Sequence, residues 1–409
     1  MARMYSVGAA ALAWAMLAPS PIARAQVAVS ANDGKVELVD GAIKYKADGK
    51  DTVTILDIGV TPVKVIAEIP APASVVGPPF SVAITPSGEL ALVTAGKRTD
   101  GDPPKEISDD QVTVIDLKKT TLLGSLAGRA KALATRSAVP SSIPEVIATL
   151  HAGKGAAGVA INKTGTLALV ANRDEGSVSV FTIAGKTVTP AGKVELGDEK
   201  SGPCAIVFTP DGNSAFVTLD GPASNKIAVL SVDGTKVEFT KRTLTAGVAP
   251  YGIVVSPKGD IAIAANMGGG RTGDADTISI IDLKSKLTRI VNTVSVAPSP
   301  EGLRISPDGQ YLAVASQNGS NRASTSPYYN DGGMLAVFRI RGTELQKVTQ
   351  APTGHWCQGV VWSARSNRIL VQCMVEREIE VFAFTGGKLE KQNAIKVSGG
   401  PAGIGSAEK

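Results

Sequence analysis

The sequence predicts an all-β fold: a seven-bladed β-propeller, four antiparallel strands per blade, with the N- and C-termini sharing the closing blade. Three observations carry that prediction. A unit of two short apolar runs around a Ser/Thr-Pro-x-Gly turn recurs along the chain. The turn glycines Gly165, Gly212, Gly259 and Gly309 fall 47, 47 and 50 residues apart. The two ends of the chain hold complementary pieces of one further unit. A fixed period of this size marks a repeat architecture.

Composition narrows the alternatives. Of 409 residues, 43% are hydrophobic and 19% charged, which excludes intrinsic disorder. Three cysteines are too few for a disulfide-dense scaffold, and two histidines, His151 and His355, exclude a site built from three imidazoles. Residues 1–25 read as a secretory signal. Arg3 supplies the positive start, Ser6 to Ala18 is apolar but too short to span a bilayer, and Ala23-Arg24-Ala25 gives a small-x-small cleavage pattern. The expected mature chain, 26–409, is the propeller, placed in the periplasm or secreted, with no membrane span after cleavage. Losing Arg3 and Arg24 takes the net charge from +5 to +3, no footprint for nucleic acid.

The copies follow in order. Phe80–Gly88 leads to Leu90–Thr94, Gly158–Gly165 to Leu167–Asn172, and Cys204–Gly212 to Ala215–Thr218. Gly252–Gly259 leads to Ile261–Asn266, and Gly302–Gly309 to Tyr311–Ala315. A degenerate sixth copy runs Gly359–Ser363 to Ile369–Cys373, with Ala364 and Ser366 in place of proline and glycine. Alternating β-branched residues make half-buried strands, and Pro-Asp-Gly and its relatives make tight turns because proline presets φ and glycine accepts φ > 0. Third strands are expected at Val112–Asp116, Ser177–Phe181, Ile227–Ser231, Ile278–Asp282, Leu335–Phe338 and Ile379–Phe382. Fourth strands are expected at Glu145–Leu150, Lys193–Leu196 and Val291–Val294. The longer interval before Gly165 holds an insertion near Leu117–Ile143. Gly399–Ile404 reads as a first strand with nothing after it, and Gln26–Asn32 as a second strand with no first before it. Thr52–Asp57 and Lys64–Ile69 complete that blade. Closing the ring this way protects the sheet edges.

Leu169-Val170-Ala171-Asn172, Gly176–Val180 and the recurring Pro-x-Gly turns resemble the YVTN-repeat, lactonase-like seven-bladed propellers of bacterial secreted proteins. The resemblance covers nearly all of the mature chain. It implies the fold, and among relatives it implies binding proteins, proteins of unassigned role and sugar-lactone hydrolases. In the hydrolase branch a histidine often follows Gly-Pro at an innermost strand; here Gly202-Pro203 is followed by Cys204, and other strand starts carry Tyr251 and Glu301.

Insertions gather on one propeller face: Gly34–Lys50, Gly96–Asp110, Gly268–Asp276 and Asn318–Gly332. Loops on a rigid scaffold usually carry binding groups, and the channel mouth is the default pocket. The candidate ligand-binding residues are Arg98, Arg173, Asn266, Arg271, Arg322, Tyr329 and Trp356. Arginines among tyrosines suit a small polar or anionic ligand, since guanidinium grips a carboxylate or phosphate with two parallel bonds. His355-Trp356-Cys357 is the sharpest local constellation, with His355 a candidate general base and Glu376 or Arg322 its partner across the channel. Cys357 and Cys373 fall nearly opposite one another about the turn near Arg365 and are a candidate disulfide in an oxidising compartment; three buried thiols are the alternative. No catalytic metal or cofactor is expected, and the Gly273–Asp276 loop has the composition for a structural Ca²⁺. No phosphate-binding glycine loop and no Gly-x-Ser-x-Gly elbow is present.

The functional expectation is a periplasmic binding or scaffold protein that holds a small polar or anionic ligand, or a periplasmic protein partner, on the inserted-loop face. The alternative is a lactonase-like hydrolase or cyclase acting on a carboxylated or sugar lactone at the channel mouth.

Overall fold

A computed structural model describes residues 26–118, 143–221, 224–268 and 275–407. The expected signal segment, nearly all of the Leu117–Ile143 insertion and Arg271 lie outside the described residues. The strands are β1 (Val27–Asp33), β2 (Val36–Val39), β3 (Ala42–Tyr45), β4 (Thr52–Asp57) and β5 (Lys64–Pro70). Blade 1 holds β6 (Val82–Ile84), β7 (Leu90–Asp100), β8 (Lys105–Asp116) and β9 (Glu145–His151). Blade 2 holds β10 (Ala156–Ile161), β11 (Leu167–Asn172), β12 (Ser177–Ala184) and β13 (Thr187–Glu195). Blade 3 holds β14 (Pro203–Phe208), β15 (Ser214–Leu219), β16 (Lys226–Asp233) and β17 (Lys236–Thr245). Blade 4 holds β18 (Pro250–Val255), β19 (Ile261–Asn266), β20 (Asp276–Asp282) and β21 (Arg289–Val296). Blade 5 holds β22 (Pro300–Ile305), β23 (Tyr311–Ser316), β24 (Gly333–Arg341) and β25 (Glu344–Thr353). Blade 6 holds β26 (Cys357–Trp362), β27 (Arg368–Cys373) and β28 (Glu378–Thr385), and its outer edge is split into β29 (Lys388–Lys391) and β30 (Ile395–Lys396).

The seventh blade closes the ring as the chain ends require. Its order is β31 (Gly400–Ser406), β1, β4, β5, with Ser30 opposite Ile404. Every strand pair within the blades is antiparallel, and the two inner strands of each blade are almost wholly buried, giving apolar layers between adjacent blades.

The Ser/Thr-Pro-x-Gly motif has a local cause. The glycine amide returns to the first turn residue (Gly88 to Thr85 at 2.7 Å, Gly309 to Ser306 at 2.8 Å), and those glycines sit at φ 66° and 73°. The Ser or Thr side chain then accepts from the first amide of the next strand: Thr85 Oγ1 from Leu90 at 3.1 Å, Ser306 Oγ from Tyr311 at 2.9 Å. The degenerate copy keeps the same turn, with Ser366 at φ 54°.

Two expected loops are in fact paired arms. Gly34–Lys50 contains the hairpin β2–β3, and Gly96–Asp110 is absorbed into β7 and β8, which stay paired as far as Asp100 and Lys105. Alternation continues through Lys97–Asp100 with charged residues outward, so the ladder extends past the blade without burying a charge.

Candidate functional site

The innermost strand of each blade presents one residue at an equivalent place beside the channel, five positions before the Ser, Thr or Asn of its turn. For blades 1 to 6 these are Phe80, Ala157, Cys204, Tyr251, Glu301 and Gln358, and Ala402 stands in blade 7. Blades 3 to 6 therefore supply a polar half-ring, and blades 7, 1 and 2 an apolar one. The next position is small throughout, as in Gly158, Ala205, Gly252, Gly302, Gly359 and Gly403, because neighbouring inner strands approach closely there. A Cβ on Gly302 would sit 1.9 Å from the Gln358 carbonyl oxygen. Side chains on second strands link one blade to the next: Thr218 Oγ1 donates to the Tyr251 carbonyl at 2.7 Å, and Gln372 Nε2 to that of Gly403 at 3.0 Å.

Arg173, after β11, reaches over this half-ring. Its guanidinium donates to Asp220 Oδ2 at 2.6 Å and stands 5.8 Å from the Tyr251 ring centre. Glu301 is buried, and Gln317 Nε2 donates to its Oε1 at 2.5 Å. Two buried carboxyl oxygens there have no partner, Asp220 Oδ1 and Glu301 Oε2; Gln358 Oε1 also has none, but its amide is turned to Val76 and Met374, to which Nε2 donates at 3.1 Å. Unmatched buried polar atoms are costly, and where they converge they mark a place for a ligand or ordered water. Burial pushes the Glu301 carboxyl up to about 8, against the opposing pull of Arg173 and Gln317. Burial also raises Asp220, despite the Arg173 cation, and raises Cys204 and Tyr251. Cys204 is thus a protonated, unreactive thiol.

His355 has a different setting. Its Nδ1 lies 2.7 Å from Glu376 Oε1 and its Nε2 3.0 Å from Asp331 Oδ1, while its backbone amide donates to both Glu376 oxygens at 3.0 Å. Glu376 follows β27 in the same blade and does not face His355 across the channel. Burial works against the imidazolium, but the two carboxylates outweigh it and raise its pKa. A ring that donates from both nitrogens has no lone pair free to take a proton, so this geometry is that of a held cation.

The other expected residues are dispersed. Arg98 lies on the β7 arm, 3.4 Å from Asp100. Asn266 is buried at the end of β19, donating to Thr277 and Ser279 hydroxyls at 3.0 Å; Asn172 and Asn32 make the same lock in their blades. Arg322 stacks on Tyr328 at 5.5 Å, and the Tyr329 hydroxyl donates to Asp331 at 3.4 Å, which places both on the rim near His355. Trp356 is buried beside Val36, Val75, Met374 and Ala402. Cys357 and Cys373 are register partners joined by a disulfide with Cα atoms 4.0 Å apart, and Cys204 is free and buried. Of the expected calcium loop, Gly273 and Asp274 lie outside the described residues, and Asp276 accepts from the Ser299 amide at 2.6 Å. Among the described residues no group of three or more His, Cys, Asp or Glu could hold a metal ion, and no helix is long and apolar enough to cross a membrane.

Sequence reasoning passed over Asp220, Gln317 and Gln358 and read Tyr251 and Glu301 only as strand starts. The available signal was positional: each inner-ring residue stands just before the small residue that opens a repeat.

The strand order and register define a seven-bladed β-propeller closed by strands from both chain ends. No family model matches the chain, and no curated protein matches it in sequence. Among solved structures it is similar to the periplasmic gluconolactonase of Pseudomonas aeruginosa (16% identity, 93% of this chain and 99% of that one, TM-score 0.63). It is also similar to a functionally unknown protein of Desulfotomaculum acetoxidans (14%, 94% and 99%, TM-score 0.63). A third is the hydrazine synthase of Kuenenia stuttgartiensis (16%, 81% and 90%, TM-score 0.59). At such identities the likeness shows the fold alone, and one fold hosts many activities.

Proposed function

We propose that this protein is a periplasmic propeller that binds a small polar ligand at the mouth of its central channel. The observation that carries the reading is the pair of unmatched buried carboxyl oxygens, Asp220 Oδ1 and Glu301 Oε2, whose groups both feel the Arg173 cation. A ligand rich in hydroxyls donates to Asp220 Oδ1 and accepts from the protonated Glu301 carboxyl, and a carboxylate on it meets the guanidinium. The apolar half-ring, with Phe80 and Ala402, takes the ligand's carbon skeleton. Isothermal titration with neutral sugars, sugar acids and amino acids tests this. Saturable binding by one class, lost in Arg173→Ala and Glu301→Ala, is expected; unchanged binding in both variants would place the ligand elsewhere.

The second reading is a lactonase-like hydrolase, favoured by one observation. A buried carboxyl near 8, positioned by Gln317, suits proton transfer close to neutral pH. In this reading water attacks the lactone carbonyl carbon, the ring C–O bond breaks, Glu301 gives its proton to the departing alkoxide and takes one from the water, and Arg173 stabilises charge on the carbonyl oxygen. A lactone panel with the mature protein and with Glu301→Gln and His355→Ala separates the readings: turnover lost only in Glu301→Gln supports hydrolysis at the channel, and no turnover above buffer retires it. The expected signal segment and the periplasmic neighbour support export; alkaline phosphatase fusion to residues 1–25 tests it.

A further inference from the structure

Trp356 sits two residues before Gln358, at φ 50°. The equivalent residues of blades 2 to 5 are Gly155, Gly202, Ala249 and Ser299, all with positive φ. The backbone at this point demands a left-handed conformation, which suits small residues, and only blade 6 places an indole there. The ring forms one wall of a cleft beneath the β2–β3 hairpin.

That hairpin is an insertion between the second and third strands of blade 7. It reaches over blade 6 and is pinned at its tip to the blade 5 loop, where the Ser324 amide donates to Asp40 Oδ1 at 2.6 Å. A Cβ on Gly41 would sit 2.2 Å from the Ala323 nitrogen, so the tip is seated directly on that loop. Beneath lies a cavity of about 150 Å³, lined by Val36, Leu38, Trp356 and Met374 together with Glu37 and Arg377. Glu37 is already engaged by Lys46 at 2.9 Å. No described carboxylate lies within ion-pair distance of Arg377, and its pull on Glu37 is the weakest of those that lower that carboxyl, behind Lys46.

We propose that this cleft is a second binding site, which adjoins the channel ring through the Gln358–Met374 contact, for a small monocyclic carboxylate. The ring lies between Trp356, Leu38 and Met374, and the carboxylate meets the Arg377 guanidinium. Size fits the assignment, since a cavity of about 150 Å³ accepts a single aromatic ring. Charge fits it too. The apolar side chains take the ring, and the Arg377 guanidinium, which holds no ion pair within the described residues, offers the carboxylate a charge-assisted bond.

Benzoate is the probe, benzyl alcohol its neutral counterpart, and isothermal titration of the whole protein the measurement. Benzoate is expected to bind with a dissociation constant of about 1 mM or tighter, within reach of so small a ligand. Arg377→Gln is expected to weaken benzoate about tenfold while leaving benzyl alcohol unchanged, as removal of one charge-assisted bond requires. Leu38→Trp fills the cavity and is expected to abolish binding of both, with its melting temperature confirming the fold. Absence of saturable benzoate binding would overturn the proposal, and so would an affinity indifferent to Arg377→Gln. Loss of benzoate binding in Glu301→Gln with Arg377→Gln unaffected would assign the ligand to the channel and also overturn it. These outcomes do not depend on what the channel mouth binds.

Discussion

Phe80 lies against Gly252 across the channel: a Cβ built on Gly252 would sit 2.6 Å from both Cε2 and Cζ of the ring. The two residues belong to blades 1 and 4, on opposite sides of the ring. The backbone of Phe80 is fixed locally, its carbonyl accepting from the Val159 amide at 3.0 Å. Its side chain therefore bridges the axis from a fixed root, and the missing side chain of Gly252 makes room for it. This contact floors the polar half-ring.

Gly252→Ala is expected to destabilise the fold by about 1–3 kcal/mol through overpacking, since Leu303 Cδ2 also lies only 2.5 Å from the added methyl. Phe80→Ala is expected to cost about 3–5 kcal/mol by leaving a cavity. The double variant tests the contact. In urea unfolding, Phe80→Ala should remove most of the Gly252→Ala penalty; simple additivity of the two would mean the side chains do not meet.

Glu301 makes stability depend on pH. The free carboxyl titrates near 4.5 and the folded one near 8. Below the lower value both states carry the proton and Glu301 imposes no penalty. As pH rises from there, the unfolded chain ionises while the folded one does not, so stability declines until the folded carboxyl itself titrates. Glu301→Gln should abolish that slope. At pH 7 the variant should be more stable than wild type by about 3 kcal/mol, and equal to it near pH 4. Equal stability at both pH values would mean that Glu301 is ionised in the fold.

The pKa of His355 is raised, so its contribution has a different window. It is fully present below the unfolded value near 6.5 and is lost as pH rises through the higher folded value. His355→Gln should lose about 1 kcal/mol at pH 6 and little at pH 9. The imidazole carbon proton, followed by NMR, should titrate above the free value; a midpoint below 6.5 would contradict the two-carboxylate setting.

The disulfide between Cys357 and Cys373 closes a loop with a sequence separation of 16. Reduction restores chain entropy to the unfolded state, worth up to about 3 kcal/mol for a loop of this length. Cys357→Ala with Cys373→Ala should unfold at lower urea and no longer respond to dithiothreitol. A wild-type midpoint insensitive to reductant would mean the thiols are free in solution.

Much of the blade pattern was legible because it rests on short-range rules. Alternation, the Ser/Thr-Pro-x-Gly turn and the split repeat of Gln26–Asn32 and Gly399–Ile404 each depend on neighbours in sequence, and the structure pairs β31 with β1 accordingly. The arms were less legible. Lys97–Asp100 and Lys105–Ser108 are polar or charged apart from Ile107 and carry no core-facing signal, yet they pair because β7 and β8 are already aligned beneath them.

The site residues divide on the same ground. Arg173, Tyr251 and Cys204 were visible as unusual residues at strand ends. Their company with Asp220, Glu301, Gln317 and Gln358 was not, because these seven come from five blades and meet only when the ring closes. His355 looked like a base as an isolated histidine; Asp331, which engages its other nitrogen, comes from the preceding blade. The sequence by itself determined the strand periodicity, the turns and the shared closing blade, since each is set by contacts a few residues apart or by a repeat that can be counted. Tertiary structure alone decided which polar groups lost water together, and burial of that kind is a property of the assembled ring.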